Sequence, residues 1–150
     1  MEKAEKISVS DLSVGDWVCA EQLCGAHSKP KLTPPMKVVG LGDGAGGWVN
    51  LMIDPEQGDP FEFEPSEIRG VPITAEVLEK NGLEYFDDGN DAVIFLCCDM
   101  FWARLCVGDT FWQVGIYNED RLDAVVCNVK HIHELQHALR LAKVGKEIVL

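Results

Sequence analysis

Apolar residues come in short runs along most of the chain, and turn residues punctuate them. "DLSVGDWVCAEQL" places Trp17, Val18 and Cys19 directly after Gly15-Asp16, a turn signal followed by a strand. "SKPKLTPP" carries three prolines in its eight residues and reads as a loop, since proline cannot donate to a ladder. "MKVVGL" and "GWVNLMI" are β-rich runs on either side of "GDGAGG". After the turn "DPEQGDP", the stretch "FEFE" alternates with period two, which predicts Phe61 and Phe63 inward and Glu62 and Glu64 outward. Several short strands in so few residues predict a small SH3-like β-barrel over residues 11–70, preceded by a flexible leader at 1–10.

The period then changes. "PITAEVLEKNGL" predicts a short helix with Thr74 as N-cap, Ile73 and Leu78 as a hydrophobic staple, and Asn81-Gly82 as its stop. Four further strand-like runs follow: "AVIFLCC", "MFWARLCV", "TFWQVGIY" and "LDAVVCNV". Connections this short predict an antiparallel meander, and the apolar continuity of the first run predicts a strand covered on both faces. The chain closes with a helix over about 128–143, stopped at Gly145, and with "KEIVL" as a candidate edge strand. The expected fold class is therefore α+β: an N-terminal SH3-like small β-barrel, then an antiparallel β-meander with a C-terminal helix. The expected organisation is a leader at 1–10, a barrel at 11–70, and a helix, a four-stranded sheet and a terminal helix at 71–150.

Charge narrows the function classes. The net charge is −12, while residues 128–150 carry a local excess of two positive charges. The rest of the chain then holds −14, a surface that repels phosphate backbones, so nucleic acid is not an expected partner. No apolar run is long enough to span a bilayer and "MEKAEKISVS" is not a secretory signal, so the expected location is cytoplasmic, away from membranes. The six cysteines accordingly read as reduced thiols, most of them in strands.

One stretch carries candidate chemistry. His133-Glu134-Leu135-Gln136-His137 fits H-E-x-x-H, in which one helix face offers two zinc ligands and a general-base glutamate. Catalytic zinc also needs a third protein ligand, and the residues after His137 contain no histidine and only Glu147 as a carboxylate. Helical geometry puts Ile132, Leu135, Leu139 and Ala142 in one apolar stripe and His133 and His137 roughly opposite it, facing water beside Arg140. The expectation is no metal and no cofactor, with zinc-dependent hydrolysis through His133 and His137 as the alternative. His131 reads as a helix-start residue. Cys19-x4-Cys24-x2-His27 fits no common zinc knuckle, and Cys97 and Cys98, adjacent on a strand, would point to opposite faces. Trp17, Trp48, Trp102 and Trp112 read as core aromatics rather than a ligand groove. The glycines of "GLGDGAGG" match neither a P-loop nor a dinucleotide fingerprint.

"DLSVGDWV", "RGVPITAEVLEKNGLEY" and "VKHIHELQHALRLAKVGKEIVL" together resemble a family of short uncharacterised proteins from gut anaerobic bacteria and their phages. The resemblance implies a barrel-like N-terminal part, a proline-led helix, strands and a C-terminal "H-x-L-Q" helix. It also implies asparagine at the position of His137, which would make the H-E-x-x-H match a local coincidence. It implies no chemistry. The functional expectation is a non-enzymatic protein-binding or accessory module, phage- or mobile-element-associated, with a protein partner. An acidic DNA-mimic inhibitor of a basic partner is a further alternative.

Overall fold

A computed structural model describes residues 4–22, 29–42, 47–54, 56, 58–86, 92–97, 100–106, 110–118 and 121–150. The chain divides into two compact units, residues 1–71 and 72–150. The architecture is α+β and mostly antiparallel, with one sheet in each unit. No helix is long and apolar enough to cross a membrane among the described residues.

Six strands build the first unit: β1 (Trp17–Gln22), β2 (Lys31–Leu32), β3 (Met36–Leu41), β4 (Val49–Met52), β5 (Phe61–Phe63) and β6 (Ile68–Gly70). The order runs from β5 through β4 and β3 to β1, with β6 on the other side of β1, and the sheet curls into a half-barrel. Alternate residues of these strands supply the core: Val18 and Ala20, Met36 and Val38, Val49 and Leu51, then Phe63 and Ile68. The turn that launches β1 needs a glycine. Gly15 sits at φ 96, a conformation that costs a side-chain-bearing residue roughly 1 kcal/mol or more. The buried Asp16 carboxylate closes that turn by accepting the Ser13 amide at 2.7 Å.

Two expectations fail in this unit, each for a local reason. The proline-rich stretch is not simply a loop, because Lys31–Leu32 pairs with Gln22–Glu21 as β2. Thr33 keeps the ladder alive where Pro34 and Pro35 cannot: its amide donates to Ala20 O at 2.8 Å, and its hydroxyl accepts the Ala20 amide at 2.9 Å. Phe63 is buried as expected, but Phe61 is 55% exposed, since it opens the edge strand where no further strand covers it. Part of the stretch expected as a leader lies against the sheet. Ile7 and Val9 pack on the core, and Glu5 O accepts the Gly70 amide at 3.1 Å.

The second unit holds α1 (Ala75–Lys80), then β7 (Glu84–Phe86), β8 (Ala92–Cys97), β9 (Phe101–Cys106), β10 (Trp112–Asn118) and β11 (Arg121–Val129), and last α2 (Ile132–Leu141). Thr74 caps α1 by accepting the Val77 amide at 3.3 Å. Gly82, at φ 78, lets the Leu83 amide return to Leu78 O at 3.0 Å, a Schellman stop. The four expected strands form the antiparallel meander β8 to β11, and β7 adds a fifth at the β8 edge. Ile94 and Phe95 are neighbours on β8 and both fully buried, so that strand is covered on both faces.

The chain end departs from expectation. Residues 128–129 belong to β11, so α2 starts later than the sequence suggested. It also stops earlier than Gly145. Lys143 adopts the left-handed conformation at φ 57, and the Val144 amide returns to Leu139 O at 3.0 Å. A lysine pays for this geometry where glycine does not, so Lys143→Gly is expected to raise the unfolding free energy by roughly 0.5–1 kcal/mol in urea titration. The "KEIVL" segment is not a strand. Side-chain amides of Gln136 and Asn81 bind the Lys146 carbonyl, the Ile148 amide, and the Val149 amide and carbonyl.

Candidate functional site

The H-E-x-x-H stretch lies where the sequence put it, on a helix, but its side chains are used differently. His131 is the N-cap residue of α2, as a helix-start residue should be. The Glu134 carboxylate folds back over the helix start. Its Oε1 accepts the His131 amide at 3.2 Å and the Lys130 amide at 3.4 Å, and lies 2.9 Å from His131 Nδ1. Those amides belong to the positive end of the helix, where a carboxylate is stabilised by hydrogen bonds and by the dipole. The residue that a zinc hydrolase would use as general base is therefore an N-terminal capping residue.

The two motif histidines do not both face water. His133 is 2% exposed, His137 is half-buried, and their ring centroids lie 6.0 Å apart at an interplanar angle of 82°. The His131 ring stacks on His133 at 5.7 Å. The expected apolar stripe is present, with Ile132, Leu135 and Leu139 fully buried, but Gln136 and Ala138 are buried as well. At about 100° per residue the covered arc spans roughly 220°, which sweeps His133 into the interior and leaves Glu134, His137 and Leu141 outside. Part of that extra cover is the chain end, which folds back toward Gln136. Among the described residues no group of three or more histidine, cysteine or carboxylate side chains is placed to hold a metal ion.

Two side chains organise this region in a way the sequence did not reveal. Gln136 and Asn81 are both buried polar side chains. The Gln136 carboxamide donates to Lys146 O at 3.1 Å and accepts the Ile148 amide at 2.6 Å. The Asn81 carboxamide accepts the Val149 amide at 2.8 Å and donates to Val149 O at 2.9 Å. The available signal was a glutamine inside an otherwise buried helical arc, which needs a partner of its own.

The other candidates separate. Cys19 is 4% exposed in β1, and burial pushes its thiol up to about 11 from 9.0. Cys127 is half-buried; burial first, then the negative charge of Glu134, push its thiol up too. Cys97 is buried, whereas Cys24, His27 and Cys98 lie outside the described residues. At pH 8 a thiol with a pKa of about 11 carries about a hundredfold less thiolate than one at 9.0, so native Cys19 should alkylate at least that much more slowly than in urea. Because the folded value is raised, the linked stability is fully present below pH 9 and is lost as pH climbs toward 11.

Of the tryptophans, Trp102 and Trp112 are core residues. Trp17 is half-buried, with Lys37 Nζ 5.3 Å from its ring centroid. Trp48 is 50% exposed at the turn between β3 and β4, beside exposed Leu41; Gly42 there donates its amide to Trp48 O. At the other end of β4, Ile53 and Phe61 are also exposed. The same unit carries a cleft of about 490 Å³ bounded by Lys6, Glu21, Glu67 and Arg69 among others. Two of its charges are paired: the buried Arg69 guanidinium binds Glu21 Oε2 at 2.8 Å through Nε, and Ser66 O and Ile68 O through Nη1. Comparison with protein-family models, with curated proteins and with solved structures finds no match to this chain.

Proposed function

We propose that the chain is a non-enzymatic protein-binding or accessory module whose working surface is the first unit. The observation that carries the reading is the half-exposed Trp48 with Leu41 at one end of β4, and Ile53 with Phe61 at the other. Large aromatic and aliphatic side chains exposed in and beside strands of the sheet, in a chain of net charge −12, suit a partner that offers apolar side chains within a basic surround. The same acidity argues against nucleic acid as that partner. An SH3-like identity for the half-barrel is part of the proposal. It is supported by β6, which follows a 3-10 turn at Pro65–Glu67 and returns beside β1. A cytoplasmic, phage- or mobile-element-associated role fits the sequence resemblance.

Zinc hydrolysis is not favoured, because Glu134 is engaged at the helix start rather than between the two histidines. The test is quantitative capture from a host lysate by the full chain, by Trp48→Ala/Phe61→Ala and by His137→Ala, with peptide hydrolysis assayed in parallel. The reading expects one partner held by the full chain and by His137→Ala, and at least tenfold less with the double variant. Equal capture by the double variant, or hydrolysis lost in His137→Ala, would overturn it.

A further inference from the structure

Residues 146–149 are bound as a peptide ligand is bound. Gln136 reaches the carbonyl of Lys146 and the amide of Ile148, the pattern by which a residue in a parallel strand reads its neighbour. Asn81 takes the amide and the carbonyl of the single residue Val149, the antiparallel pattern. Two side-chain amides thus stand in for two strands. They recognise backbone, while the buried Ile148 side chain supplies the apolar anchor and Arg140 meets Glu147 at 3.3 Å. The segment hangs from α2 through Ala142-Lys143, where Lys143 holds a left-handed backbone that glycine would adopt without strain.

We infer that this groove is exchangeable, and that its occupant in trans is residues 144–150 of a second copy of the chain, giving a reciprocally swapped dimer. The peptide already seen to satisfy every contact is carried by each further copy, so the exchanged interface repeats the intramolecular one bond for bond. Opening the connection also releases the Lys143 strain in both copies. A strained hinge and an identical exchanged element are the two conditions under which swapping costs least. The proposal does not depend on the binding surface assigned to the first unit.

Analytical ultracentrifugation of the full chain over a wide concentration range, after brief mild denaturation and refolding, tests it. The series compares the native chain with Lys143→Gly, Lys143→Val and Ile148→Asp, each checked for native circular dichroism. The dimer dissociation constant should fall about tenfold in Lys143→Val, whose β-branched side chain strains the closed hinge further. It should rise in Lys143→Gly, and no dimer should form in Ile148→Asp. The second readout uses the native chain alone, in which the Ile148 and Val149 amides should exchange hydrogen by local opening, well before those of Leu135 and Leu139. Dimerisation indifferent to Lys143, a dimer that survives Ile148→Asp, a chain monomeric throughout, or tail amides exchanging only with global unfolding would each overturn the inference.

Discussion

Replacing Gln136 with leucine is expected to lower the unfolding free energy by about 2–4 kcal/mol, although the substitution makes the helix more apolar. The carboxamide is 3% exposed and holds two backbone groups of the returning chain end. Leucine fills a similar volume but leaves the Ile148 amide and the Lys146 carbonyl without that partner. A buried donor or acceptor that loses its partner costs about 1–3 kcal/mol; the Ile148 amide is such a group, and the part-buried Lys146 carbonyl adds a smaller loss. The chain end can limit the loss by peeling off into water, which would expose Ile148 and Val144, both now buried. Urea unfolding of the two chains gives the difference. A change within 0.5 kcal/mol, as at an ordinary surface position, would mean that the clamp contributes little.

The second large effect is expected in the first unit. Glu21→Ala should cost about 2–4 kcal/mol, because it leaves the Arg69 guanidinium, with 8% of its side chain exposed, without its carboxylate. The lower end of the range allows for Glu21 being itself partly exposed, so that water enters on its side. Two carbonyls would still hold Nη1, but carbonyl dipoles do not replace a full negative charge. The double variant Glu21→Leu/Arg69→Met should recover much of the loss, since removing both charges together also removes the desolvation cost that each imposes. If the single and double variants lose equal stability, the pair acts through packing rather than charge.

Thr74, Asn81-Gly82 and Leu83 define α1 because caps and stops are written in adjacent residues, and the cap and stop hydrogen bonds of that helix are present. The meander from β8 to β11 was legible for the same reason, since short turns leave only an antiparallel neighbour. What escaped was contact between distant residues. β7 is three residues of mixed character, recognisable only through its pairing with β8. Lys31–Leu32 forms a strand because Thr33 substitutes for what the prolines cannot offer. At the candidate site, helical periodicity identified Ile132, Leu135 and Leu139 but could not register a second covering segment. That segment, residues 144–150, explains why Gln136 is buried, while His133 is covered in part by the His131 ring stacked on it. The misreading of the histidines was thus an error about what lies over the helix, not about its rotation.

The cap formed by Glu134 is the point on which the structural reading of α2 turns. Urea unfolding of the native chain and of Glu134→Ala, each in chelator and in stoichiometric zinc, tests it most directly. The expected result is a loss of about 1–2 kcal/mol in Glu134→Ala that is the same with and without zinc, as for removal of a helix N-terminal cap. A native chain that gains several kcal/mol from zinc, with no cost for Glu134→Ala in chelator, would contradict it and return the helix to metal chemistry.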